Sequence, residues 1–295
     1  MSLPGAVASP VPDWLHALRA DADCPPLRPR VPLIVGAVSP GSVVVSVVGS
    51  VEPDFLDQIC FSRGIGEGHA LLKKEHSAET GACTGWLLNG DVTEGLNRVA
   101  TALHQAGLAG AWRQEQLAVR DACGLCVGTI ERAAVRPLGI ATQAVHLVGR
   151  APDGRFWVQQ RAVDKPNDPG KWDTLMGGMV SSADTLEAAL ARETWEEAGL
   201  YVADLQGLRH GGCLTVRRPT SDGVGTGYMV ENIDWYVCTV PDGVTPVNQD
   251  GEVAQFALVD TAQLLQNLSG GVYTLEAALI LANVAGFGPQ RPAQD

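Results

Sequence analysis

The chain has 295 residues, of which 45% are hydrophobic and 18% charged, and its formal net charge is −12 at pH 7. This length leaves room for two domains with buried cores. The negative charge makes a nucleic-acid backbone or an anionic membrane surface an unfavourable partner, whereas bound metal ions can still adapt the chain to a phosphate-bearing substrate.

Cysteine usage and the absence of targeting patterns indicate a cytoplasmic protein. The seven cysteines are odd in number and widely scattered, which is typical of reduced thiols. Cys123 and Cys126 form a lone CxxC without the second pair that a zinc ribbon needs. The sequence contains neither a secretion signal at its start nor an apolar run of about 18 residues that could span a bilayer.

The first half of the chain predicts an N-terminal accessory α+β domain over residues 1–131. Its predicted elements are an amphipathic helix within 12–24, two valine-rich strands within 31–48 around the turn at 39–41, a short helix over 53–59, a helix over 93–106 and a strand over 112–119. Residues 62–90 are rich in glycine and have no clear period, so we expect loops there.

The second half predicts a domain over residues 132–295. The predicted strands are 143–148, 155–161, 233–240 and 254–259, and the predicted helices are 185–198, 261–268 and 275–285. A loop with two prolines covers 163–170. Strands with helices packed on them, rather than alternating βα units, indicate an α+β fold.

The helix predicted over 185–198 has an acidic C-terminal end. Its charged residues there are Arg192, Glu193, Glu196 and Glu197. Glu193 and Glu197 are four residues apart and therefore share one face, with Glu196 beside them. Like charges repel at this spacing, and the helix dipole disfavours negative charge in the last turn. A solvated helix end would be the simplest interpretation of an isolated ExxEE, but the cluster also suits a hard divalent cation with oxygen ligands.

The spacing around this helix resembles the Nudix box. Gly178 is followed after five residues by the acid Asp184, after seven more by Arg192-Glu193, and then by Glu196-Glu197 and Gly199-Leu200. The sequence departs from the family pattern at Asp184, where Glu is usual, and at Thr194, where a bulky apolar residue is usual. The resemblance implies a mixed sheet sandwiched between helices, and an enzyme that binds Mg²⁺ or Mn²⁺ and hydrolyses a diphosphate linkage.

The resemblance also implies roles for individual residues. Glu193 and Glu197 match the main metal ligands, Glu196 matches a third carboxylate that binds metal or activates water, and the Gly178 carbonyl is a further candidate ligand. Gly177 would let the loop turn tightly. Arg192 would orient Glu193 through a charge-assisted bond.

Other candidates lie outside the helix. Glu252, after a polar turn, is a candidate general base. Arg161, Lys165 and Lys171 precede the box and would supply cations for the phosphates. Trp172 and Tyr228 can stack on a heteroaromatic ring, although each is more typical of a core residue.

Further segments resemble one Nudix subgroup, related to the hydrolase half of fungal thiamine pyrophosphokinase fusions. The segments are 112–115, 139–140, 158–161, 169–173 and 248–253. The resemblance implies diphosphates of damaged thiamine, in the oxo and oxy forms, as substrates converted to monophosphates. A nucleotide or nucleotide-sugar diphosphate remains an alternative substrate, and a homodimer is compatible with the sequence.

Two other classes of protein are weighed against a hydrolase. A non-catalytic ligand-binding regulator would be expected to lack the carboxylate cluster that is present here. An isomerase of the isopentenyl-diphosphate type would need a cysteine between residues 132 and 178, where the sequence has none and where His146 is the single histidine.

Overall fold

The computed structural model describes residues 11–39, 42–59 and 71–287. The helices are α1 (Asp13–Asp21), α2 (Val92–Gln105), α3 (Leu186–Ala198), α4 (Asp222–Gly225), α5 (Thr261–Ser269) and α6 (Leu275–Ala282). The strands are β1 (Val31–Ser39), β2 (Ser42–Val51), β3 (Leu72–His76), β4 (Cys83–Leu88), β5 (Gln116–Arg120), β6 (Cys126–Glu131), β7 (Thr142–Arg150), β8 (Phe156–Arg161), β9 (Trp172–Asp173), β10 (Met176–Met179), β11 (Gln206–Thr220), β12 (Gly227–Thr239) and β13 (Val253–Val259). None of the helices within these ranges is long and apolar enough to cross a membrane.

The N-terminal half forms a four-stranded sheet in the order β2-β1-β4-β3, with β1 and β4 parallel. The helix α2 packs on the β5–β6 hairpin and on this sheet. It buries the apolar stripe of Leu96, Val99, Ala100 and Leu103, as its 3.6-residue period predicts. The first core of the protein lies between these elements.

The C-terminal half is a three-layer sandwich, as predicted. Its seven-stranded sheet has the order β11-β12-β7-β8-β13, with β10 paired to β7 and β9 paired to β8. The sheet is mixed because β12 and β7 run parallel while their other neighbours are antiparallel. One face packs against α1, α5 and α6, and the opposite face packs against α3.

Several strands differ from the sequence prediction. The expectation of loops over 62–90 is wrong for β3 and β4; residues 62–70 of that range lie outside the described residues. The strands β6 and β11 were also missed. The β11 segment lacks a regular alternation of apolar and polar residues, because Gly211-Gly212 and several arginines interrupt it. Its pairing with β12, rather than its own sequence pattern, therefore stabilises it as a strand.

Packing crosses the predicted division at residue 131 in two places. The helix α1, from the first half, buries Leu15 in the second-half core beside α5 and α6. Conversely, Leu138 and Ile140 are buried in the first core. Arg30 connects the two parts, because its guanidinium donates to the carbonyls of Pro137 (3.1 Å) and Thr226 (2.5 Å).

Candidate active site

The helix α3 begins and ends where the sequence predicts. The Thr185 hydroxyl accepts a hydrogen bond from the Ala188 amide at 3.2 Å, and Gly199 adopts the left-handed conformation with φ 63°. This capping satisfies amide and carbonyl groups that would otherwise lack partners at the helix ends. Since Thr185 provides the cap, the neighbouring Asp184 is free to make other contacts.

Arg192 connects the carboxylates of this segment. Its guanidinium donates to Asp184 Oδ2 (2.9 and 3.1 Å), Glu193 Oε1 (2.9 Å) and Glu196 Oε2 (3.0 Å). Although burial disfavours the arginine charge, these acids raise the pKa of Arg192. The arginine therefore stays charged and fixes the Glu193 side chain, which is the arrangement expected from the sequence.

Glu193 lies directly against Gly178. A Cβ on Gly178 would stand 2.1 Å from Glu193 Cδ and 2.3 Å from its Oε2. Burial raises the pKa of Glu193 to about 7, while the Arg192 charge opposes this shift and the charges of Glu196 and Glu252 add to it. The absence of a side chain at residue 178 thus creates the space in which this carboxylate sits.

Glu197 is buried one helical turn further on. Its Oε2 accepts hydrogen bonds from the Gly177 amide (2.9 Å) and from Gln159 Nε2 (2.8 Å). Burial nevertheless raises the pKa of Glu197 to about 8. Its second oxygen, Oε1, receives no hydrogen bond from the described residues and remains available as a ligand.

The two carboxylates border a cavity of about 720 Å³ that both halves of the chain line. The cations in its wall are Arg113, Arg132, Arg136, Arg161, Lys165 and Arg218. The acids are Asp168, Asp173, Glu193, Glu197, Asp222, Glu231, Glu252 and Glu276. The cavity can therefore offer oxygen ligands and anion-binding groups at once.

Five other residues proposed from the sequence also line this cavity: Gly177, Gly178, Arg161, Lys165 and Glu252. Lys165 forms an ion pair with Glu252. Burial disfavours the charge on Glu252, but the hydrogen bond from Lys165 and the charges of Arg132 and Arg161 outweigh that effect and lower its pKa. Arg161 donates to the Asn167 carbonyl and lies 3.7 Å from Asp173 Oδ2.

The remaining candidates lie outside the cavity wall. Glu196 turns toward Arg192 and its side chain is 40% exposed. Lys171 pairs with Asp168 at 3.4 Å, and Trp172 packs against the second-half core. The Tyr228 hydroxyl donates to the Cys24 carbonyl at 2.9 Å. The geometry thus favours the core interpretation for Trp172 and gives Lys171 no contact with the cavity.

His146 and Asp173 are cavity residues that the sequence did not reveal. His146 is buried and its Nδ1 lies 2.9 Å from the Thr174 hydroxyl and 3.5 Å from Asp173 Oδ1. Burial lowers the pKa of His146, although Asp173 opposes the shift. A Cβ on Gly177 would come within 2.5 Å of this imidazole. Gly177 is therefore needed for close packing in β10 rather than for the tight turn expected from the sequence.

Four arginines of the cavity wall were also missed. Arg132 pairs with Glu115 at 2.7 Å and Arg136 with Asp222 at 3.1 Å. Arg113 and Arg218 are exposed, and their side chains form no hydrogen bond or ion pair with a described residue. The residues next to these four arginines in the sequence form no phosphate-binding motif. Only the tertiary structure therefore shows that the four side chains line one cavity.

The donor set of the acidic end fits a hard divalent cation. Glu193 and Glu197 approach the same glycine segment, and burial raises the pKa of both carboxylates. Arg192 contacts Glu193, whereas Glu197 has no cationic partner among the described residues. Two buried carboxylates this close together are a costly arrangement that a cation would stabilise. Carboxylate and carbonyl oxygens are the ligands preferred by Mg²⁺ and Mn²⁺.

The chain segment that carries this site matches a known family. Residues 141–276 match the family model described as NUDIX domain. This segment is therefore similar to Nudix domains.

Proteins similar to this chain occur in plants and bacteria. The chain is 32% identical to Nudix hydrolase 24, chloroplastic, of Arabidopsis thaliana over 46% of this chain and 37% of that protein. It is 28% identical to Nudix hydrolase 20, chloroplastic, of the same plant over 59% of this chain and 46% of that protein. The chain thus spans less than half the length of either relative. The cytoplasmic location expected from the sequence stays a prediction.

Among solved structures, a Deinococcus radiodurans protein aligns with 57% of this chain and 98% of its own length, at a TM-score of 0.47 and 22% identity. The structure of the NUDIX domain of Shewanella oneidensis NrtR, complexed with ADP ribose, aligns with 49% of this chain and 86% of its own length, at a TM-score of 0.35 and 14% identity.

Proposed function

We propose that the protein is a divalent-metal-dependent hydrolase that cleaves a diphosphate linkage by attack of water. The observation that carries the proposal is the pair of buried carboxylates, Glu193 and Glu197, facing a cavity whose wall also contains six cations. A bound Mg²⁺ or Mn²⁺ would screen the phosphate charges and increase the acidity of a water molecule. Arg192 keeps Glu193 in place, while Gly177 and Gln159 hold Glu197.

Glu252 is the proposed general base. It lines the cavity, and its lowered pKa keeps it ionised at neutral pH. A base with a low pKa and a lysine partner accepts a proton poorly. A substrate phosphate would attract Lys165 and weaken the ion pair, so substrate binding itself would make Glu252 more basic. Glu196 is the weaker candidate because it is held by Arg192 outside the cavity wall.

Arg161, Arg113 and Arg218 are the proposed phosphate-binding cations. Arg161 stands beside the acidic end of the cavity, as its 3.7 Å separation from Asp173 shows. Arg113 and Arg218 make no side-chain ion pair among the described residues, so a substrate anion would not have to displace an existing partner.

The finer proposal is that the substrate is a diphosphate of oxidised or oxygen-substituted thiamine. It rests on the subgroup resemblance and on the size of the cavity. The described wall contains no Phe, Tyr or Trp, so ring recognition would fall to the sulfur-containing side chains of Met179 and Met229 and to arginine guanidinium planes.

The test measures product release with Mg²⁺ across a panel of diphosphates. The panel contains oxothiamine and oxythiamine diphosphate, NADH, ADP-ribose and 8-oxo-dGTP. Turnover of any panel member that is lost in Glu197→Gln supports the hydrolase, and a preference of about tenfold or more in kcat/KM for the thiamine analogues supports the finer proposal. A nucleotide preference would overturn the finer proposal alone. Ligand binding without turnover in the presence of bound metal would instead favour the regulator.

A further inference from the structure

A group of metal-ligating side chains lies on the β11–β12 hairpin, apart from the cavity. His210 and Cys213 belong to β11, and Asp234 belongs to β12. None of the three lines the cavity. The nearest cavity residue on the same strand is Arg218, five residues beyond Cys213, a separation of roughly 16 Å along an extended strand.

A break in the strand register places these side chains on one face. His210 is opposite Tyr236 and Cys213 is opposite Asp234, so three steps along β11 correspond to two along β12. In a regular strand, residues three apart point to opposite faces. The extra residue in this bulge reverses that parity and brings His210 to the side of Cys213 and Asp234.

The glycines of the bulge have a packing reason. A Cβ on Gly211 would stand 1.9 Å from the Trp235 ring, so the indole lies directly against the backbone at the bulge. Across the strands, the Tyr236 ring contacts the His210 imidazole edge-to-face, with ring centroids 5.2 Å apart. The backbone conformation and the imidazole position are therefore both supported by neighbouring residues rather than left to solvent.

The potential ligand atoms converge. His210 Nε2 and Cys213 Sγ each lie 2.9 Å from Asp234 Oδ1, and they lie 3.8 Å from one another. Tetrahedral zinc with its usual bond lengths holds such atoms roughly 3.3–3.6 Å apart. Small side-chain rotations would therefore give three of the four positions of a tetrahedral site, with the exposed side open to water.

We propose that His210, Cys213 and Asp234 form a binding site for a transition-metal cation of the Zn²⁺ class. The mixture of sulfur, nitrogen and oxygen ligands selects such a cation over Mg²⁺. On binding, the Cys213 thiol releases its proton to solvent and the metal–sulfur bond forms. The alternative of an activated cysteine nucleophile is disfavoured, because the adjacent Asp234 carboxylate opposes thiolate formation unless a cation balances the charge.

The test uses the full chain, stripped with a chelator, kept reduced and supplied with excess Mg²⁺. Titration with Co²⁺ should give a thiolate-to-cobalt charge-transfer band at one equivalent, and Zn²⁺ should abolish the band by competition. Cys213→Ser should remove the band, and Asp234→Asn should weaken Zn²⁺ affinity by at least about tenfold. Cys123→Ser is the matched control, since Cys123 is also exposed and belongs to the CxxC pair.

Three results would overturn the proposal: no band with the wild-type chain, a band that survives Cys213→Ser, or a band lost in Cys123→Ser instead. If Cys213→Ser does not fold, the same titration of Asp234→Asn and His210→Gln tests the proposal. Both retain the size of the side chain, and both should lower metal affinity while the metal-free chain keeps its melting temperature.

Discussion

Glu197→Gln separates the role of the buried carboxylate in folding from its role in catalysis. Glu197 Oε2 accepts both hydrogen bonds, from Gly177 and from Gln159, while Oε1 accepts none from the described residues. A glutamine can place its own oxygen at the Oε2 position and keep both bonds. Its amide nitrogen then replaces Oε1, which removes a metal ligand without leaving a buried donor or acceptor that the wild type satisfied.

The effect on stability follows from the raised pKa. Burial raises the pKa of Glu197 from 4.5 to about 8, so the folded state binds the proton more tightly than the unfolded state. The metal-free wild type therefore loses stability as the pH rises from about 4.5 to about 8, and the loss reaches a few kcal/mol. Glutamine does not ionise. We expect the metal-free variant to exceed the wild type by at least about 2 kcal/mol near pH 8.5 and to melt roughly 4–8 °C higher.

The assay compares melting with a chelator at about pH 5 and pH 8.5, and turnover with Mg²⁺. Turnover should fall on the order of 10²-fold or more because a metal ligand is lost. Glu187→Gln is the matched control, since Glu187 is an exposed residue in the first turn of the same helix. In this control, neither the turnover nor the difference in melting temperature between the two pH values should change. Near-native turnover, or a variant less stable than the wild type at the higher pH, would refute the reasoning.

Three further predictions concern the same site. Gly178→Ala should lower the melting temperature, because its Cβ would stand 2.1 Å from Cδ and 2.5 Å from Cγ of the Glu193 side chain that Arg192 holds, and displacing this carboxylate should weaken Mg²⁺ binding, measured by calorimetry, by at least about tenfold; unchanged Mg²⁺ affinity would show that Glu193 does not need the space at residue 178. Arg192→Lys should also lower Mg²⁺ affinity by about 10–100-fold, because a lysine ammonium cannot bridge Glu193 to Asp184 and Glu196 as the guanidinium does. A variant that binds Mg²⁺ as tightly as the wild type would show that the guanidinium contacts are dispensable. Since the pKa values of Glu193 and Glu197 are raised to about 7 and 8, Mg²⁺ affinity should fall as the pH drops below about 8 and more steeply below about 7, by roughly tenfold per pH unit for each proton displaced; a flat profile between about pH 8 and pH 6 would refute proton competition.

The prediction of α3 succeeded because its signals are local. The capping bond from Thr185 spans three residues, Gly199 allows the left-handed end, and the four-residue spacing of Glu193 and Glu197 places them on one face. The helix period and the hydrogen bonds within one turn suffice to fix these relations. For the same reason, α2 and the valine-rich pair β1 and β2 follow their sequence patterns closely.

The contents of the cavity depend on contacts between residues far apart in the chain. Arg113 reaches it only because the N-terminal half packs beside the C-terminal half, and Trp172 is excluded because β9 directs it into the core. The strand β11 shows the same dependence, since its pairing with β12 sets the face of each side chain.

The sequence by itself determined which residues form the carboxylate helix and in what order they stand on it. Only the tertiary structure decided how those carboxylates titrate, since the raised pKa values of Glu193 and Glu197 come first from burial. Desolvation depends on which atoms surround a charge, and at this site those atoms include residues of β8 and β10. No spacing within one helix contains that information.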